Sequence, residues 1–572
     1  MAFNWRTLAA TALLTSAMAL SACGDSAPTG PSDLPPAAAF VAPQSATTAR
    51  VTWAKVSDAT NYVVQRAIGA TGGTFLTVSP AAQTDTVFID SGLEPSAAYR
   101  YRVQAIRASG PSQYTAEFSV TTNAAGTVAG VISGNITANR TLYADTLYTL
   151  QGFIQVANGA TLRIQPGTRI RGDTTSAFVG SSLFITRGAK IDAQGTAANP
   201  IVFTSGRAAG SRQPGDWGGL IIIGNGIINK TGNVTIEGTG APLPGNPAQT
   251  YSGGSSNTDN SGIMRYVRIE FAGFATAPNQ ELNSLTLAAV GSGTVLEYIQ
   301  TLAGLDDSYE WFGGAVDGKY LVSYESGDDH FDISEGYVGR LQHLIAMQTR
   351  ILPPRALAGS PSSDPQGIEN DGCDGAACTN GQSSAPLTIP LIANFTLLGT
   401  GTTNGVTLPA SGGRGMMLRR GTGGFYVNGV VGRFPVAGVS FRDTTTFQRA
   451  TAGDFILSNI LFAENGALFD PQLTVANASR QYTVDTTANN LRTVAGTASA
   501  LFTSVSATLP TNGASFDWAP VSGSAAASGG LSTLTGAIQT KAGTFIVGTA
   551  YRGAADPAGP KWWNGWTTYA IN

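Results

Sequence analysis

The chain has 572 residues, of which only 12% are charged, and a formal net charge of −3. That length allows two or more domains, and the absence of a basic patch interleaved with aromatics excludes nucleic acid as a partner. Gly (71) and Pro (28) are plentiful while long Glu/Lys/Leu/Arg stretches are scarce, so the expected class is an all-β, turn-rich exported protein.

In chain order, the first feature is Arg6 followed by the apolar run LAATALLTSAMAL, too short to cross a bilayer. The run ends in Leu20-Ser21-Ala22-Cys23, which resembles the lipobox of bacterial lipoproteins. The resemblance implies a signal peptide over 1–23, acylation of Cys23 and attachment to a membrane through the acyl chains. Gly24 stands where an Asp would favour retention at the inner membrane. The expected location is therefore the outer membrane, on its periplasmic or cell-surface face. Residues 24–36 read as a flexible tether. The two other cysteines, Cys373 and Cys378 in NDGCDGAACTN, have no His pair nearby. In an oxidising compartment they are expected to close a small disulfide loop rather than to bind zinc.

Residues 37–123 alternate in short runs, ARVTWAKV, NYVVQRA, DTVFID, YRYRVQAIRA and EFSVTT, separated by turn signals at the spacing of a sandwich. Trp53, Tyr62 and LEPSAAY (Leu93 to Tyr99) resemble a fibronectin type III domain, and the resemblance implies a tyrosine corner at Tyr99 and a spacer or adhesive role.

From about residue 130 to the C-terminus the texture becomes repetitive. GATLRIQPGT and GAKIDAQGT are versions of one unit. YIQTLAG and YLVSYESG, then DDSYE and DDHFD, then GGAV and EGYV each recur at an offset of 22. One coil of a parallel β-helix has about that length. IANFTLLG, FYVNGVVG and FILSNILF recur at intervals of roughly 30, with Asn394, Asn428 and Asn459 at corners where Asn tolerates αL geometry and can stack as an amide ladder. The closing PKWWNGWTTYAIN is expected to seal one open end or to pack back on the solenoid through Trp562, Trp563 and Trp566. A carbohydrate-stacking platform is the alternative.

Nine of the chain's 36 acids fall between Asp306 and Glu335, with Lys319 the only base among them. A coil of 22 stacks Asp306 over Asp328, Asp307 over Asp329 and Glu310 over Asp332. Like charges about 5 Å apart repel by roughly 1 kcal/mol in water and by several at lower dielectric. Three remedies are open: exposure to water, a bound Ca²⁺ held by Asp306, Asp307, Asp328 and Asp329, or raised carboxyl pKa values of the kind general acids use. Tyr309 and Trp311 are candidate ligand-binding aromatics, whereas Phe312 and Phe331 are assigned to the core. His330, one of two histidines with His343, is a candidate proton shuttle. Further polar clusters are SNTDNSG, Glu270, Glu281 with Asn283, and Glu369-Asn370-Asp371.

The phrases GTRIRGD, RGAKIDAQGTAANPIVFTS, PGDWGGLIIIGN, GIMRYVRIEFAG, LDDSYEWFGGAVDGKYLVS, GMMLRRGTGGFYVNGVV and WNGWTTY resemble a family of bacterial surface or secreted β-helix proteins with no settled activity. The resemblance implies a right-handed parallel β-helix over 130–572 and export, and supplies no reaction. Fold-level analogy reaches pectate-lyase-like enzymes, which would need a base such as Lys319 or Arg340, and polygalacturonase-like enzymes. Three readings follow. The first is an anchored surface binding, display or structural protein, with a polysaccharide or surface protein as partner and calcium as stabiliser. The second is a polysaccharide lyase or glycoside hydrolase working at the acidic rungs. The third is an accessory protein that captures a ligand for an outer-membrane transporter. The enzyme reading requires at least two of Asp306, Asp307, Glu310, Asp328, Asp329 and Asp332 to face a groove, at the ~5–9 Å separations of glycosidases.

Overall fold

The computed structural model describes residues 34–569 apart from 127, 241–242, 244, 279, 354–364, 402–411, 471–485 and 506–515. The signal peptide and lipobox expected over 1–23, with Cys23, and most of the expected tether lie outside the described residues.

Residues 37–123 form two antiparallel sheets. Phe40–Pro43, Thr48–Thr52 and Val87–Ser91 make one, and a second is built around Ala59–Ile68 and Ala98–Arg107. Strict alternation in Ala98–Arg107 turns Tyr99, Tyr101, Val103 and Ala105 inward, where they meet Trp53, Tyr62 and Val64. The Tyr99 hydroxyl accepts from Glu94 N at 2.7 Å, closing the corner read in LEPSAAY.

Beyond this sandwich the chain is a parallel β-helix. Among the described residues its strands form a nine-stranded and a seventeen-stranded sheet. Each central coil gives one short strand to the first sheet and one long strand, bent at its middle, to the second. Val295–Leu302 pairs with Asp317–Tyr324, and Tyr309–Phe312 with Phe331–Ser334, both at an offset of 22; the next step, Gly318 to Leu341, is 23. Later coils lengthen: Leu391 pairs with Phe425 and Gly424 with Phe455.

The bend is a single αL residue, and these residues stack in one column: Tyr266, Tyr298, Tyr320, His343, Asn394, Asn428, Asn459 and Asn490, all with φ between 50° and 64°. Non-glycine αL residues are costly singly, so the stack has to supply compensation. The tyrosine rings stack at 4.4 and 4.5 Å, and Tyr320 on His343 at 4.9 Å. The asparagines do not form the expected amide ladder. Asn394 Nδ2 donates to Thr549 Oγ1 at 2.7 Å, Leu531 N donates to Asn428 Oδ1 at 2.6 Å, and Asn459 Nδ2 donates to Gly529 O at 2.9 Å. A C-terminal strap thus runs back along the column. The tryptophans belong to it and cover the flank of the solenoid, not an end. Trp563 and Trp566 are buried in a second core with Trp518, Tyr324 and Tyr569.

An acidic cavity on the nine-stranded sheet

Period-two alternation decides what the nine-stranded sheet shows on each side. In Tyr309–Phe312 and Phe331–Ser334, Tyr309, Trp311, Phe331 and Ile333 are all 0% exposed and belong to the solenoid core. Glu310, Phe312, Asp332 and Ser334 therefore face out. Two expectations are reversed here. Tyr309 and Trp311 are core residues that no ligand can reach, while Phe312 lies on the outer side. Strand parity forces this, because Glu310 pairs with Asp332 and the residues on either side must point the other way.

The outward row continues from Asp332 to Glu369 in the next coil, and Asp371 pairs with Arg419 in the coil after. Asp306-Asp307 and Asp328-Asp329 lie in the turns that lead into their strands. The segment 224–260 adds Lys230 and Glu237 from one side. A loop closed by the Cys373–Cys378 disulfide adds Asp374 from another. These two pieces touch, since Thr231 N donates to Ala377 O at 3.0 Å, and the segment is tied to the coil beneath by Asn229 N donating to Glu335 O at 3.0 Å. Together they enclose a cavity of about 580 Å³ lined by twelve carboxylates and three cations.

All six acids of the two DD rungs line this cavity. Their oxygens gather into three triads, Asp306-Asp307-Asp328, Asp307-Glu310-Asp332 and Asp329-Asp332-Glu369, each with its atoms within 4.8 Å of one another. Asp329, expected beside Asp306, Asp307 and Asp328, groups instead with the next coil. Exposure to water is not what relieves these charges, since Asp307, Glu310 and Asp329 are 3–5% exposed. Some oxygens have fixed donors: Asp329 N donates to Asp307 Oδ1 at 2.7 Å, Asn283 Nδ2 to Glu310 Oε2 at 3.0 Å, and Gln366 N to Asp329 Oδ1 at 2.6 Å.

The two arginines lie at the later coils, and Lys230 reaches in from the inserted segment. Arg419 pairs with Glu369 and with Asp371 at 2.7 Å, Arg420 with Asp371 at 2.5 Å, and Lys230 with Glu335 at 2.6 Å. Among the described residues no ion pair within 4.0 Å reaches Asp306, Asp307 or Glu310. Burial first, then the neighbouring carboxylates, holds Asp306, Asp307 and Glu310 well above the usual carboxyl range. Burial pushes Asp332 up to about 6 against the pull of Arg419 and Arg420, and Glu237 up to about 7 with help from Glu281 and Asp332. This is an oxygen-only donor set with surplus negative charge, the environment that suits Ca²⁺.

Other candidates fall elsewhere. His330 is 1% exposed, absent from the lining, and held with Nδ1 2.6 Å from Ser323 Oγ in a buried serine cluster; burial lowers it to about 3. It does not face the acidic cavity, where a proton shuttle was expected. Lys319 and Arg340 cannot serve as the base, because both pack on Phe545 of the strap and Arg340 pairs with Asp317. Glu270 accepts from Thr204 and pairs with Arg268, and Asn370 points inward to Tyr426. Glu281, Glu369 and Asp371 do join the cavity. Lys230, Glu237, Arg419 and Arg420 were not expected there. The double arginine of MLRRG is the one signal for them in the sequence.

Comparisons with known proteins complete the description. No curated protein matches the chain. Among solved structures, a fibronectin type III-like protein from Clostridium thermocellum is 26% identical over 16% of this chain and 92% of that one, with a TM-score of 0.15. A titin module from human cardiac muscle is 27% identical over 16% and 95%, also at 0.15. Residues 134–515, which hold every coil that builds the acidic cavity, match the pectate-lyase-like beta-helix domain, and the chain belongs to that family.

Proposed function

We propose that the chain is an exported, envelope-anchored lipoprotein that binds polysaccharide through divalent cations, Ca²⁺ foremost, held in the acidic cavity. The observation that carries this reading is the set of three carboxylate triads on consecutive coils, with oxygens within 4.8 Å, bordered by Arg419 and Arg420. Asp306, Asp307, Asp328, Glu310 and Asp332 would hold the ions. A bound cation cancels repulsion that the fold otherwise leaves in place, and it offers open coordination positions to sugar hydroxyls or carboxylates. The arginines supply planar, bidentate donors for an acidic sugar at the cavity's edge. The lipid anchor and the N-terminal sandwich would hold this site away from the membrane. Calorimetric titration with CaCl₂, followed by a glycan array run with and without calcium, tests the reading. Calcium binding together with calcium-dependent glycan capture is expected, and no heat on titration would end it.

A second reading, polysaccharide cleavage, rests on Asp332 at about 6 and Glu237 at about 7. Such groups hold a proton near neutral pH, as a general acid must. New reducing ends, or unsaturated products absorbing in the ultraviolet, in the array's eluates would establish it; intact glycans throughout would dismiss it.

A further inference from the structure

The strap treats the two halves of the αL column differently. Along Asn394, Asn428 and Asn459 it is sealed to the solenoid by the hydrogen bonds described above. Along the tyrosines it touches the column through tryptophan rings, Trp562 on Tyr320 at 5.2 Å and Trp566 on Tyr266 and Tyr298, and leaves beside them a second cavity of about 440 Å³. Tyr266, Tyr298 and Tyr320 line it from the solenoid, and Tyr551 and Trp562 from the strap. All five are half-buried.

Charge separates this cleft from the acidic cavity. Its ionic lining is one Asp556 and one Lys561, both exposed, and Lys561 is paired with Asp517 at 2.7 Å. His343, the remaining titratable side chain besides the tyrosines, has its Nδ1 2.9 Å from Ala554 O, and burial lowers it to about 4, so it is neutral at physiological pH. Burial pushes the Tyr298 and Tyr320 phenols up, so both remain hydrogen-bond donors. The shape is fixed from beneath. Trp566 meets Tyr266 and Tyr298 edge-on at 5.8 and 6.2 Å, and Trp562 Nε1 donates to Ala554 O at 3.1 Å.

An aromatic lining, a rim of hydroxyl, amide and carboxylate groups, and only two ionic side chains form a combination that an ion does not need. A neutral pyranose does need it, since its C–H face packs on rings while its hydroxyls find donors and acceptors. We infer that the cleft between the tyrosine column and the C-terminal strap is a second, cation-independent binding site for neutral oligosaccharide. It lies on a different face of the solenoid from the acidic cavity and does not depend on it.

The test titrates the full-length protein in EDTA with neutral β-1,4-glucan, β-1,4-xylan, β-1,4-mannan and α-1,4-glucan oligomers, read by tryptophan fluorescence and calorimetry. Millimolar or tighter binding of at least one oligomer is expected, with the same affinity when CaCl₂ replaces EDTA. Trp562→Ala should weaken it roughly tenfold while Trp562→Phe keeps most of it. If Trp562→Ala does not fold, Asn564→Ala and Asp556→Asn, both at exposed positions, should each weaken binding several-fold. The inference is overturned if no neutral oligomer binds at millimolar concentration, if these substitutions leave affinity unchanged, or if binding needs calcium. The last result would still leave the acidic cavity's role standing.

Discussion

Asp332 is the residue whose substitution separates a cation site from a merely crowded one. It belongs to two of the three triads and pairs in register with Glu310 one coil away. At the ~4.8 Å spacing of paired strands, two carboxylates repel by about 3 kcal/mol at an effective dielectric of 20. That is an upper bound, because the pair relieves part of it by sharing a proton, leaving roughly 1–2 kcal/mol at pH 8. Asp332→Asn should therefore stabilise the protein in EDTA and raise its melting temperature by a few degrees. In calcium the order reverses. An ion present at a hundred times its Kd stabilises the wild type by about 2.7 kcal/mol, and the variant, short of a ligand in two triads, should lose most of that gain. Calorimetric melts of both proteins in EDTA and in CaCl₂ give four numbers that must cross. A variant that melts lower than wild type in EDTA, or one with an undiminished calcium shift, would refute the reasoning.

Other consequences follow from the same structure. Asp306, Asp307, Glu310 and Asp371 have folded-state pKa values raised above their unfolded values, as do Asp332, raised to about 6, and Glu237, raised to about 7. The native state then binds more protons than the unfolded one between about pH 4 and pH 7, so stability is full at the acid end of that window and is lost as pH rises through it. Melts in EDTA should rise on acidification from pH 7.5 to 5, whereas in calcium this trend should flatten or invert as protons compete with the ion; a cation-free melt that falls on acidification contradicts this. Replacing Cys373 and Cys378 together by Ser removes a short loop closure worth about 2 kcal/mol and frees Asp374 and the Thr231–Ala377 contact. Calcium affinity should fall several-fold by calorimetry, and unchanged affinity would mean the loop is no part of the site. Trp566→Ala removes a fully buried ring and should cost about 3–5 kcal/mol. Limited proteolysis should then cut the strap first, and equal resistance of the variant would show that the strap is held elsewhere.

Much of this was legible because a solenoid writes three-dimensional neighbours into the sequence at a fixed step. The 22-residue offset placed Asp306 near Asp328 and Glu310 beside Asp332, as the structure has them. The same logic, carried one step further, places Tyr309 and Trp311 inside. Once two acids a coil apart are outward, their immediate neighbours are core. What stayed hidden lies beyond interruptions in the step. Arg419 and Arg420 come two coils after Asp332, but long connections before Ile368–Asp371 and Arg414–Arg419 conceal the count. Lys230 and Glu237 arrive on an insertion that belongs to no coil. The strap's partners, such as Gln300 for Thr568, lie far upstream, and no periodic signal announces them.

The cavity's charge is ordered as well as large, and the order comes from the coil. Successive rungs of the nine-stranded sheet present Glu310, then Asp332, then Glu369 with Asp371, and only then Arg419. A single coil could not hold such a set, since two residues on one strand face offer too few oxygens to coordinate a cation and too little room for a counter-charge. Stacking makes each rung complete its neighbour's site, which is why Asp307 and Asp332 each serve two triads. The same stacking makes the groove polar along its length, with Asp306, Asp307 and Glu310 at the early coils and guanidinium groups at the late ones. A chain-like acidic ligand laid along the solenoid axis would meet bridging cations first and arginines last. On the reading proposed above, such a groove would distinguish the two directions of an acidic polysaccharide without any contact specific to one sugar.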